Sequence, residues 1–288
     1  MRPARPTLPS TVRATTSAGR RRWLAGGTAL ALTTLAGCAT RGLDTGGYSG
    51  PAYEGPPRRE TAHALTETGE LLHLFAARPT YPDLRLQLTG AVGGEPLLAL
   101  ARHSARRQLV VLGRSGRVYA VNADTGALTA LNRPLPAPLT GQRFAMDVDP
   151  ADGQLRVFGD DGAWRGAPDG VLQPDAGAVR LDSLASARAA DGRAVQRYGI
   201  ATTGGQLLRL ELGPQGLQAA PVGSLGLPPL ARASLGVADG ADQGLLMLQL
   251  ASEPLINRLA LVDLASGRAR LLGLLPAPPQ VLSLVAER

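Results

Sequence analysis

Short apolar runs alternating with polar residues, and punctuated by Gly and Pro, make up the chain from about Thr61 onward. No stretch there carries a 3.6-residue apolar period bounded by caps, so the pattern predicts strands. Five segments align: "GELLHLFAA" from Gly69, "GRVYAVNAD" from Gly116, "GAWRGAPDG" from Gly162, "GQLLRLELG" from Gly205 and "NRLALVDLA" from Asn257. Their starts lie 47, 46, 43 and 52 residues apart. A strand-like run precedes each one: "AHALTET", "QLVVLGRS", "QLRVFGDD", "YGIATTG" and "GLLMLQLASEPLI". Before three of these lies a further apolar run, at "LLALARH", "FAMDVDP" and "ASLGVAD".

A repeat of roughly 40–50 residues holding four short strands has the dimensions of a propeller blade. One four-stranded sheet cannot bury both faces alone, whereas radial packing against neighbours buries them. The first unit lacks its leading strand, and "QVLSLVAER" has no partner after it. Ring closure answers both, with Val281 to Ala286 supplying the missing strand. The expected fold is all-β, a β-propeller of five four-stranded blades with the first closed by the C-terminal strand. An open sandwich or another blade count is the alternative. Turns recur as well. "NADTGALTAL" and "DLASGRARLL" set Thr125, Gly126 and Ser266, Gly267 at matching offsets. Each glycine supplies the positive φ that such a turn requires.

The pattern upstream is different. Trp23 to Gly37 is an apolar run behind Arg20, Arg21 and Arg22. It is shorter than the ~20 residues of a spanning helix. Positive charge before such a run marks an export signal. It ends in "LAGC", Leu35 to Cys38, and Cys38 is the only cysteine. This ending resembles the bacterial lipobox. The resemblance implies that Leu35, Ala36 and Gly37 are read by lipoprotein signal peptidase and that Cys38 is acylated. The acyl chains then make the membrane a partner, at about 0.8 kcal/mol per buried methylene. With Ala39 next, the same resemblance implies the periplasmic face of the outer membrane. "GRRRWLAGG" also loosely resembles a twin-arginine export signal. The expected organisation is a signal peptide over 1–37, a flexible Gly/Pro-rich tether over 38–60, and the propeller over 61–288.

That division changes the meaning of the charge. The formal net charge is +7, and all 30 basic residues are arginine. Six of them, Arg2, Arg5, Arg13, Arg20, Arg21 and Arg22, precede Cys38, where no acid occurs. The remainder nearly balance the 23 acids. A nucleic-acid partner is therefore not expected. Without lysine, Lys-containing phosphate loops and Ser–Lys mechanisms are excluded.

Candidate chemistry is sparse. "DVDPADG" sets Asp147, Asp149 and Asp152 before Gly153, a pattern akin to a calcium loop. The spacing departs from an EF-hand, and a tight strand turn is preferred. Asp160 and Asp161 also read as a turn. His63, His73 and His103 form no ligand pair within the sequence. Arg102, Arg106 and Arg107 with His103 form the densest basic cluster, suited to an anionic polymer or headgroup but preferred as a solvated turn.

The same repeats resemble a bacterial family catalogued as domain of unknown function 4394, over about Thr61 to Asp175. Leu65, Thr66, Pro79, Tyr119, Thr125, Gly126, Asp147, Pro150, Arg156 and Val157 carry the likeness. Asp149 departs from the Asn usual before that proline. The resemblance implies the fold and the envelope location but no activity. The functional expectation is a membrane-anchored binding or scaffold propeller, with an envelope protein or small ligand as partner and no evident cofactor. The alternatives are a metal-assisted, lactonase-like hydrolase and a small-ligand sensor, both using the central channel.

Overall fold

The computed structural model describes residues 50–131, 134–135, 139–162, 164–167, 170–172, 181–213, 216–276 and 279–287. The residues of the expected signal peptide, with Leu35, Ala36, Gly37 and Cys38, lie outside the described residues, as do 38–49 of the expected tether. Among the described residues no helix is long and apolar enough to cross a membrane.

The described chain is all-β in a propeller arrangement. The first sheet takes β1 (Thr61–Thr66), β2 (Glu70–Phe75) and β3 (Leu84–Gln87); the second takes β4 (Leu97–His103), β5 (Gln108–Gly113), β6 (Val118–Val121) and β7 (Leu128–Ala130). The third holds β8 (Phe144–Val148), β9 (Leu155–Gly159), β10 (Trp164–Ala167) and β11 (Gly170–Leu172). In the fourth are β12 (Ser183–Arg188), β13 (Val195–Ala201), β14 (Gln206–Gly213) and β15 (Gly216–Ser224). The fifth comprises β16 (Leu230–Val237), β17 (Gln243–Leu250), β18 (Glu253–Asp263) and β19 (Ala269–Leu274). Finally β20 (Val281–Ala286) returns to the first sheet, giving the order β20-β1-β2-β3. All the pairings are antiparallel, so the sheet at the seam joins both ends of the folded chain.

Burial explains why so many strands are apolar on both faces. Each sheet shares one core with the sheet before it and another with the sheet after it. Leu65 and Leu71 of the first sheet meet Leu100 and Tyr119 of the second. Val110 and Leu112 meet Phe144 and Val157 of the third, and Phe158 meets Leu208 and Leu210 of the fourth. Tyr198 and Ile200 then meet Leu246 and Leu248 of the fifth, whose other face, Met247 and Leu259, meets Ala64 and Leu72 of the first. A strand such as β17, "QGLLMLQL", therefore feeds two cores by alternation.

The expected turns are present as near copies. Asn122 Oδ1 accepts the backbone N–H groups of Asp124 and Thr125 at 3.0 and 3.1 Å. In the fifth sheet Asp263 Oδ1 accepts those of Ala265 and Ser266 at 3.2 and 2.7 Å. Gly126 and Gly267 follow at φ 74° and 80°. A Cβ on Gly126 would sit 2.5 Å from the Gln87 carbonyl oxygen, and one on Gly267 2.7 Å from that of Gly223. Both turns thus dock on the preceding sheet through backbone alone, which is why only glycine serves there.

Three expectations change. The tether does not extend to residue 60: Ala52 bridges Leu271, Tyr53 N–H donates to the Leu271 carbonyl at 2.8 Å, and Arg58 donates to Gln243 at 2.8 Å. β19 is an outer strand with unpaired backbone groups, and this segment satisfies some of them. The fifth repeat is offset, because Asn257 lies inside β18 rather than at a turn; the β17–β18 hairpin is extended and shifts register between Leu248 and Leu250. The fourth repeat also has a leading strand, β12, "SLASAR", whose small residues and serines mask its apolar character in the sequence.

Candidate functional site

The innermost strands β4, β8, β12, β16 and β20 lie side by side, β20 between β16 and β4. They line a central channel. Each is the edge of its own sheet, so its outward N–H and C=O groups need partners from elsewhere. Serines supply many of them. Ser283 Oγ accepts Leu100 N–H at 3.2 Å and donates to its carbonyl at 3.1 Å. Ser234 Oγ accepts Leu284 N–H at 2.9 Å, and Ser183 Oγ accepts Leu235 N–H at 2.6 Å. Each serine ties one inner strand to the next and leaves a polar channel wall.

At the end where these strands finish, Arg102, Ser104, Arg107, Arg188 and Asp239 line one cavity. Arg107 adopts a left-handed conformation, φ 50°, just after the 3-10 turn Ser104–Arg106. Asp239 Oδ1 accepts Arg188 N–H at 2.7 Å, and Arg188 Nη2 donates to the Pro150 carbonyl at 2.5 Å. The expected basic cluster therefore splits: Arg102 and Arg107 face this cavity, and Arg106 stays on the exposed turn. His103 sits under Gly153; burial, then the Arg106 charge, hold its pKa below the ordinary value.

Asp147 lines the channel itself. Burial pushes its carboxyl up to about 7, against the opposing pull of a Ser186 hydrogen bond. Its Oδ2 is buried with no hydrogen-bond partner. Asp149, fully buried, is paired with Arg156 and with Arg197, the latter at 2.5 Å, and its Oδ1 accepts Ala151 N–H at 2.8 Å. Asp152 caps Gln154 N–H at 2.8 Å and meets Arg156 at 2.6 Å. Of the three acids of the candidate calcium loop, Asp149 and Asp152 are thus tied down by arginines, while Asp147 stands apart in the channel wall.

A second cluster forms at the seam. His63 on β1 stands opposite His73 on β2, and Glu287 follows β20. His73 Nε2 is 3.0 Å from Glu287 Oε2, and its Nδ1 is 2.8 Å from Asp83 Oδ1. His63 Nδ1 is 3.1 Å from Glu287 Oε1, close but off the axis of a hydrogen bond. Thr61 Oγ1 donates to Glu287 Oε2 at 3.0 Å. The His63 contact, then Thr61 and His73, outweigh burial and hold the Glu287 pKa down to about 2. The sequence showed the two histidines 10 positions apart, but nothing in it placed Glu287 between them.

The family model described as Domain of unknown function (DUF4394) matches residues 70–285. No curated protein matches the chain. Among solved structures it is similar to TolB from Acinetobacter baumannii, at 13% identity and TM-score 0.43, over 75% of this chain and 53% of that one. The aligned part therefore spans about half of TolB. It is also similar to a putative 6-phosphogluconolactonase from Bacteroides uniformis, at 12% identity and TM-score 0.37, over 82% and 73%. A third likeness is the Cps50 (Swd1) beta-propeller domain of Myceliophteria thermophila, at 14% identity and TM-score 0.35, over 74% and 65%. No role is carried over from any of them.

Proposed function

The chain belongs to the DUF4394 family, whose description assigns no activity, and from that premise we propose that it is a membrane-anchored envelope protein whose propeller binds an anionic group of an envelope partner. The five sheets act as five blades of one closed ring, which holds the binding residues rigidly. Acyl chains on Cys38 anchor it at the periplasmic face of the outer membrane. One observation carries the binding reading: Arg102 and Arg107 line the channel mouth beside Arg188, and among the described residues no carboxylate pairs with either. Guanidiniums without counter-charges are forks for a carboxylate or phosphate.

The test is in-cell cross-linking of the full chain with a photoreactive residue at Ser104. One recurrent envelope partner is expected, lost in the Arg102→Ala/Arg107→Ala double variant while the protein stays in the membrane fraction. Capture unchanged by that variant overturns the reading. Cys38→Ser is expected to release the protein from membranes, and retention there overturns the anchor.

A second reading, an enzyme working in the channel, is favoured by Asp147. A buried carboxyl with a pKa of about 7 suits general acid–base chemistry. Hydrolysis of a simple lactone or ester, abolished by Asp147→Asn, would select it.

A further inference from the structure

The seam cluster plays no part in the channel. Its hydrogen bonds pose a problem of charge. Asp83 is a carboxylate acceptor, so His73 Nδ1 donates its proton to it. In the neutral imidazole, Nε2 then carries a lone pair. That lone pair points at Glu287 Oε2, an acceptor 3.0 Å away. The same oxygen already accepts from Thr61. Two lone pairs face each other unless a cation lies between them. His63 brings a second nitrogen to the same carboxylate: its Nδ1 is buried, 3.1 Å from Oε1, and without a hydrogen-bond partner.

We propose that His63, His73 and Glu287 bind one divalent transition-metal ion, zinc by the chemistry of the donors, and that this ion clasps the seam of the ring. Two imidazole nitrogens and one carboxylate oxygen form a zinc donor set with an open fourth position. The three donor atoms lie within 4.8 Å of one another. Bonds of ~2.0–2.1 Å to a tetrahedral ion place donors about 3.3 Å apart. The contacts of 3.0 Å from His73 to Oε2 and 3.1 Å from His63 to Oε1, one to each oxygen of the Glu287 carboxylate, approach that separation. Asp83 supplies the outer carboxylate that orients a metal-bound imidazole and fixes its tautomer. Side-chain exposures of 8%, 19% and 28% for His63, His73 and Glu287 enclose the site but leave it reachable.

The scaffold is also suited to the task. The ligands come from β1, β2 and the end of β20, three neighbouring strands in one sheet. Glu287 N–H donates to the Thr61 carbonyl at 2.8 Å, which fixes the approach of the carboxylate. An ion here ties β20 to β1 and β2 at the place where no covalent loop joins them. Metal binding is therefore linked to closure of the ring.

The experiment uses the full chain in detergent, without a polyhistidine tag, stripped with chelator and titrated with zinc chloride. One zinc per chain is expected by calorimetry, with a Tm that rises with zinc concentration. Cobalt(II) is expected to give the visible absorption of a tetrahedral site. Glu287→Gln, nearly isosteric, and His73→Ala are each expected to weaken binding at least tenfold. Asp83→Asn is expected to weaken it by about 10–100-fold without touching the metal. Should His73→Ala fail to fold, Glu287→Gln decides. No stoichiometric zinc on the wild type, or equal affinity in Glu287→Gln, overturns the proposal and leaves a proton as the cation of the cluster.

Discussion

The two ends of the channel both carry arginine, and they use it oppositely. Where the inner strands begin, Arg143 and Arg232 line a cavity with Asp182. Arg143 lies 3.5 Å from Asp160 and 3.8 Å from Asp182. Burial, then repulsion from Arg143, lower the Arg232 pKa, and Glu67, Asp160 and Asp182 oppose that shift. Where the strands finish, Arg102 and Arg107 form no ion pair among the described residues, and Asp239 of the same cavity accepts Arg188 N–H. Arginine among acids holds the fold together; arginine without them is free to hold something else.

Substitutions can break or sharpen that contrast. The largest effect is expected at Asp149, whose removal leaves Arg197 without its acid, and Arg156 with Asp152 alone, around a buried vacancy. Asp149→Ala should lose about 3–5 kcal/mol in a denaturant titration. Asp182→Ala, at the compensated end, removes the acceptor of Thr202 N–H and leaves two guanidiniums facing each other. A loss of about 2–3 kcal/mol is expected by the same measurement. A loss under about 0.5 kcal/mol would dissolve the contrast between the ends.

Asp147→Asn should act through pH. The folded pKa, about 7, lies above the ordinary 3.8, so the folded state keeps a proton that the unfolded chain releases. Wild-type stability therefore falls between pH 3.8 and about 7, whereas the variant lacks that slope. Measured against the wild type, the variant should therefore be about 4 kcal/mol better off at pH 8 than at pH 4, at about 1.4 kcal/mol per unit of the pKa difference. Tm measured across that range checks the sign. The smallest effect is expected at the open end: Arg102→Ala/Arg107→Ala should change stability by no more than about 0.5 kcal/mol per site. A large loss there would mean that these arginines are structural after all.

Much of this architecture is legible along the chain because it is local. A hairpin turn needs a glycine at one offset, so Gly69, Gly116 and Gly126 announce it. The residues that carried the family likeness, such as Leu65, Thr66, Tyr119 and Val157, are fully buried, as core positions should be. Even β20 was legible, since an unpaired apolar run and a unit short of one strand imply each other. β12 was not, because a strand lining a polar channel carries serines where a core strand carries leucines. The Asp147–Asp149–Asp152 run could be read only as a turn or a loop for a cation. The arginines that pair with Asp149, Arg156 and Arg197, arrive from β9 and β13.

The order of residues thus dictated strands, turns and the repeat, each of which depends on neighbours within a few positions. Which charges meet depended on folding. Among the described residues Arg102 pairs with no acid while Arg143 meets two, and Glu287 comes to lie between His63 and His73. Such juxtapositions arise from sheets packed around an axis and from a seam that joins residues more than 200 positions apart. Electrostatic energy follows distance in space and burial, and neither is written in the spacing of residues along a chain.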